Sequence, residues 1–108
     1  MNFLDSDEQA LFRDACARFS DEQLAPNAGR WDRAHEYPAE AVKAMAELGL
    51  MGIAIPVEEG GSGADHLSYA IAMEEISRGC ASCGVIMSVN NSLYCDPVVR
   101  YATGAQKE

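Results

Sequence analysis

The chain has 108 residues, with 8 Lys and Arg against 17 Asp and Glu for a formal charge of −9, and 48% hydrophobic residues. That is room for one small domain, here taken as 1–108, and no apolar run approaches the roughly 20 residues that a bilayer span needs. Eight scattered bases among seventeen acids cannot neutralise a phosphate track, which argues against nucleic acid and anionic membranes as partners.

Asp5, Asp7 and Glu8 stand where a secretory signal would carry positive and then apolar residues, and no Arg-rich transit segment replaces it. A cytoplasmic protein of bacterial type is the expectation. In that setting Cys16, Cys80, Cys83 and Cys95 are expected as free thiols.

Taken in chain order, the elements read as helices. Ser6–Gln9 and Ser20–Gln23 both have the form of a capping box, with acids in the following turn where the helix dipole favours them. The first start leads into a helix with Phe12, Ala15, Cys16 and Phe19 on one stripe and an Asp14–Arg18 pair on another face. The second runs into Pro26, which should kink or interrupt the helix before Trp31. Pro38 then occupies a first-turn position, Ala41, Val42, Met45 and Leu48 form a stripe, and Gly49 ends the helix. Leu50–Ile55 is apolar and leaves a short strand at 53–55 open, before the loop Glu58–Gly63. Asp65 caps a further, largely apolar helix through Ile76. From Gly79 to Cys95 there is no charge at all, yet Ser82, Ser88, Asn90, Asn91 and Ser92 lie inside this stretch and need partners from neighbouring helices or a ligand. Asp96–Pro97 has the form of a cap followed by a first-turn proline, and Ala105–Glu108 reads as good helix formers with no cap, as in a chain cut mid-element.

Few residues offer chemistry of their own. Cys80-x-x-Cys83 has no second half-site and no suitably spaced His, so buried thiols are favoured over a metal or redox pair. Gly60–Gly63 lacks the Lys-Ser/Thr of a phosphate-binding loop. Glu74 and Glu75 are about 100° apart on a helix and are not expected to act on one atom, whereas Glu75 can pair with Arg78. Asn91-Ser92-Leu93 in a small acidic helical chain resembles the phosphopantetheine site of acyl carrier proteins, with Asn in place of the usual Asp. A free-standing acyl-carrier or binding module is therefore the alternative reading.

Glu47–Pro56, Gly60–Gly63, Tyr69–Gly79 and then Cys80-Ala81-Ser82, Gly84–Tyr94 and Pro97 resemble the N-terminal helical domain of the acyl-CoA dehydrogenases, the short-chain (butyryl-CoA) branch in particular. The resemblance covers the whole chain, with Gln106-Lys107 similar to the start of the family's next helix. It departs at Glu59, where an aromatic residue is usual, at Cys83, where Thr is common, and at Ala102, where Gly is usual. The fold implied is all-α, an orthogonal bundle of about five or six helices. The resemblance also implies an FAD-dependent enzyme that introduces a double bond into a short-chain acyl-CoA in fatty-acid β-oxidation, with electron-transfer flavoprotein as partner and a dimeric or tetrameric assembly. Its catalytic Glu and main FAD contacts would lie beyond position 108. No catalytic, cofactor-binding or metal-binding residue is therefore expected here, and the 108 residues alone are expected to be inactive. What remains is a helix that lines the acyl pocket in the family, on which helical spacing selects Ile86, Val89, Asn90 and Leu93 as a substrate-binding face.

Overall fold

The structure is a computed structural model that describes residues 4–108. Helix α1 (Asp7–Phe19) begins as expected, with the Ser6 hydroxyl accepting the Gln9 N–H at 3.2 Å and the Gln9 side chain accepting the Ser6 N–H at 2.8 Å. It buries Cys16 and Phe19, while Asp14 and Arg18 form no ion pair among the described residues.

The second capping box does not form. Ser20 is already helical, at φ −60° and ψ −47°, so no free N–H waits there to be capped. Ser20–Leu24 is a π-helical turn, and α2 (Ala25–Ala34) follows without a break, making 7–34 one rod. Pro26 neither ends this rod nor starts a new one. A proline lacks the N–H and crowds the carbonyl four residues back, and the widened turn just before it accommodates both defects. The same device recurs downstream. Helix α5 (Ala81–Val89) passes through a π-helical segment, Asn90–Cys95, into α6 (Asp96–Tyr101), and Pro97 again sits two residues beyond the π-segment. Asp96, read as a cap, is likewise inside the rod at φ −62°.

Between the two rods lie α3 (Ala39–Glu47) and α4 (His66–Gly79). Gly49 ends the first in the left-handed region at φ 79°, a conformation that costs most other residues strain. Asp65 caps the second by accepting the Ser68 N–H at 2.7 Å. The segment 49–64 joins them through two single 3₁₀ turns, Leu50–Gly52 and Val57–Glu59, so the strand left open at 53–55 is absent among the described residues. A short α7 (Gly104–Lys107) closes the chain. It has a cap after all, because the Thr103 hydroxyl accepts the Gln106 N–H and the Gln106 side chain accepts that of Thr103.

Helix α4 packs against α1 on one side and α5 on the other. Leu24, Met45, Leu50, Ile53, Ile76, Cys83 and Met87 meet as one core, each fully burying side chain contributing about 1.5–3 kcal/mol for the larger ones. Helix α4 comes close to the first rod where Gly79 faces Ser20. A Cβ at Gly79 would overlap the Ser20 hydroxyl, which is fully buried and has no hydrogen-bond partner. The radius of gyration is 14.6 Å, against about 13 Å for a compact domain of this length, because the molecule is a slab only 21 Å thick. Such a shape leaves apolar faces uncovered.

Candidate functional site

The uncharged run becomes α5 and the π-segment, and its two edges have opposite characters. The inner edge, Cys83, Gly84, Met87 and Asn91, is buried against α4 and the 49–64 segment. The outer edge carries Val85, Val89 and Leu93, which are 60%, 45% and 71% exposed. Of the four residues selected from helical spacing, Val89 and Leu93 lie on this open edge, while Ile86 and Asn90 are half-buried beside it. None of the four lines the cavities that flank the segment. Val85 was missed, although its four-residue steps to Val89 and Leu93 were readable.

The segment's position is set by two amides. Asn91, 4% exposed, accepts the Ile53 N–H at 2.7 Å through Oδ1, and its Nδ2 donates to the carbonyls of Leu50 at 2.9 Å and Met87 at 2.8 Å. All three bonds are buried or tie buried backbone, so the side chain's capacity is nearly filled by protein groups. Asn90 Nδ2 donates to the Met51 carbonyl at 2.6 Å. The carbonyls and N–H that an irregular loop leaves unpaired are thus paired by adjacent residues of the π-segment. Tyr69 donates its hydroxyl to Ser88, at 3.3 Å to both the carbonyl and the hydroxyl oxygen, and Ser92 Oγ donates to the Ser88 carbonyl at 2.7 Å. Neighbouring elements and the helix itself thus give partners to Ser88, Asn90, Asn91 and Ser92.

Two cavities border this assembly. One of about 130 Å³ lies among Ala54, Ile55, Tyr69, Asn91 and Ser92, with the Asp96–Arg100 pair at 2.8 Å on its rim. The other, about 240 Å³, lies between the glycine loop and Cys95, whose thiol is pushed up by burial.

The remaining candidates resolve in the same way. The N–H groups of Gly60, Gly61, Ser62 and Gly63 donate to Val57, Pro56, Gly52 and Ile55, so the glycine loop has no inward-pointing donors free for a phosphate. Gly61 must stay a glycine, since a Cβ there would overlap the Ile55 carbonyl. Ser92 lies mid-rod and not at an exposed helix start, which does not suit a carrier attachment site. Among the described residues no three His, Cys, Asp or Glu side chains gather as metal ligands. The expectation for Glu74 and Glu75 is corrected: Arg13 Nη1 reaches Glu74 at 3.3 Å and Glu75 at 3.1 Å, because a donor on the facing helix can span neighbouring positions. Glu75 also takes Arg78 at 3.1 Å, as the sequence suggested.

A family model described as acyl-CoA dehydrogenase, N-terminal domain, matches residues 6–108. The chain belongs to the acyl-CoA dehydrogenase family. It is 53% identical over 98 residues to the mitochondrial short-chain specific acyl-CoA dehydrogenase of Bos taurus, spanning 91% of this chain and 24% of that protein. Among solved structures, butyryl-CoA dehydrogenase from Megasphaera elsdenii superposes with a TM-score of 0.89 at 32% identity, over 100% of this chain and 29% of that one. A chain from a structure of the electron transferring flavoprotein of Acidaminococcus fermentans, concerned with flavin-based electron bifurcation, gives 0.91 at 36% identity, over 99% and 28%. The chain therefore spans about a quarter of the length of the relatives it matches. An all-α N-terminal part of an acyl-CoA dehydrogenase agrees with these likenesses, and the carrier alternative has no support among them.

Proposed function

We propose that these residues serve an FAD-dependent enzyme that introduces a double bond between C2 and C3 of a short-chain acyl-CoA, and that Ile86, Val89, Asn90 and Leu93 form part of the wall of its acyl-chain pocket. The observation that carries this reading is the open apolar edge of α5 and the π-segment. An uncharged helix held rigidly from behind by Asn90 and Asn91 presents Val85, Val89 and Leu93 outward, and an exposed apolar line of this kind marks a surface that something covers. An acyl chain needs an apolar, pre-formed wall.

FAD would supply the two-electron acceptor for such a reaction. The described residues do not fit a flavin site, because the one glycine-rich loop spends its N–H groups internally. The contribution of this chain is binding: it excludes water from the chain and limits its length. Assembly as a dimer or tetramer, and electron-transfer flavoprotein as redox partner, go with this reading.

The test uses a chimera in which residues 1–108 replace the matching part of the Megasphaera butyryl-CoA dehydrogenase. The chimera is expected to bind FAD and oxidise butyryl-CoA with an artificial acceptor, whereas the 108 residues alone are expected to give no turnover, since a proton-abstracting base must reach its substrate. Within the chimera, Leu93→Phe should reduce kcat/KM for octanoyl-CoA about 10- to 100-fold more than for butyryl-CoA, the range that hydrophobic pocket contacts discriminate. Equal losses on both substrates would show that this edge packs against protein and not against the acyl chain.

A further inference from the structure

The Cys80-x-x-Cys83 motif is not used by the proposed function, and the structure gives it a definite geometry. Cys80 is the single residue between α4 and α5, ending one helix and capping the next, at φ −155° and ψ 106°. Its N–H donates to the Ile76 carbonyl at 3.0 Å and its carbonyl accepts the Gly84 N–H at 3.1 Å, so both backbone groups are fixed. Cys83 is the third residue of α5. A cap residue and the third helical residue lie side by side across a helix start, as in a capping box, where each side chain reaches the other's backbone N–H. Here the Cys83 thiol lies close enough to that of Cys80 for the two to influence each other.

The two sulfurs differ in access. Cys83 is fully buried, while Cys80, 7% exposed, lines a cavity of about 170 Å³ with Trp31, His35, Pro38 and Ser82. Among the described residues no hydrogen bond joins either other cysteine to a thiol. Cys16 lies in the α1 core beside Glu75, and Cys95 is near Asn90 and the Met51 carbonyl.

We propose that Cys80 and Cys83 form a modification site, at which a low-molecular-weight disulfide such as glutathione disulfide converts them to an intramolecular disulfide pinning the corner between α4 and α5. Cys80 loses its proton and attacks one sulfur of the small disulfide, forming a mixed disulfide and releasing a thiolate that takes up that proton. Cys83 then loses its proton and attacks Cys80 Sγ, expelling the second small thiol. Two protein thiols are oxidised by two electrons, and one small disulfide is reduced to two thiols. Residues three apart at a helix start have Cβ atoms about 5–6 Å apart, so a small approach reaches the roughly 3.5–4.5 Å of a disulfide without remaking the fold. Burial, with the neighbouring Cys80 thiol, pushes the Cys83 thiol up.

The folded chain is incubated with glutathione disulfide, free thiols are blocked with N-ethylmaleimide, and the tryptic peptide between Arg78 and Arg100 is sequenced by mass spectrometry. The expected product lacks two hydrogens, with the linkage at Cys80 and Cys83 and with Cys95 alkylated. In Cys83→Thr, the residue common in the family, the reaction should stop at a glutathione adduct on Cys80. Circular dichroism on both samples establishes that they are folded. A persistent adduct in the unaltered chain, a linkage to Cys95, or two free thiols at Cys80 and Cys83 would each overturn the proposal.

Discussion

Two seams join the parts of this molecule, and they solve the same problem with different chemistry. The seam between α1 and α4 is bordered by charge. Arg13 holds Asp5 at 2.7 Å and bridges Glu74 and Glu75, and Arg78 extends the chain to Asp21 at 2.9 Å. The seam between the 49–64 loop and the π-segment uses neutral amides, with Asn91 making three hydrogen bonds to backbone in the interior. Charge sits where water can share its solvation, and amides sit where an ion would lose it. The first seam tolerates defects because water replaces a lost partner. The second does not.

Three changes test this contrast, in descending order of effect. Asn91→Leu keeps the volume but leaves the Ile53 N–H and the Leu50 carbonyl without their partner in the interior, at about 1–3 kcal/mol per group. A loss of about 3–5 kcal/mol is expected in urea unfolding, and it should be the same at low and high salt. A loss below about 1 kcal/mol would mean that water enters this seam too. Glu75→Gln, at the centre of the charged seam with a side chain 12% exposed, is expected to lower Tm by only a few degrees. That difference should shrink in about 1 M salt, where screening reaches within roughly 3 Å. A salt-independent drop would place Glu75 with the amides and not with the charges.

The smallest effect is one of pH. Hydrogen bonding from Ser68 holds the Asp65 carboxylate below its ordinary range. Because the folded value is the lower one, its contribution is present above the unfolded value of about 3.9 and is lost as pH falls through the folded value. Asp65→Asn retains an acceptor but cannot titrate. The stability gap between the two proteins should therefore change between roughly pH 5 and pH 2, in favour of the variant. A constant gap would show that the cap bond does not distinguish the charged form.

How far each seam could be read from sequence follows from the same chemistry. Helix ends announce themselves locally, so Ser6, Gly49 and Asp65 were legible, each acting within three residues of itself. Ser20 and Asp96 carry the same local signal and mislead, because whether a residue begins a helix depends on whether the preceding one is already helical. The absence of charge over 79–95 located the candidate site, and family resemblance assigned it a role. The choice of residues within it was harder. Ordinary four-residue steps carry the buried edge from Cys83 and Met87 to Asn91, so Asn91, not Asn90, enters the core. What the run does not say is that Asn91 will meet Leu50 and Ile53. Those partners arrive from a loop some forty residues earlier in the chain.

The two π-segments each absorb an extra residue into a long rod without turning its outer half. A π turn closes a hydrogen bond over one residue more than an α turn. Because the wide turn takes up one residue more for about the same rotation, deleting a single residue from Asn90–Cys95 would restore an α turn and leave Asp96 and Arg100 beside the small cavity. Pro97 opposes that change, since its ring has room only behind the widened turn. The proline works as a latch on the extra residue: while Pro97 stays, so does the wide turn, and a return to a regular helix requires two mutations instead of one.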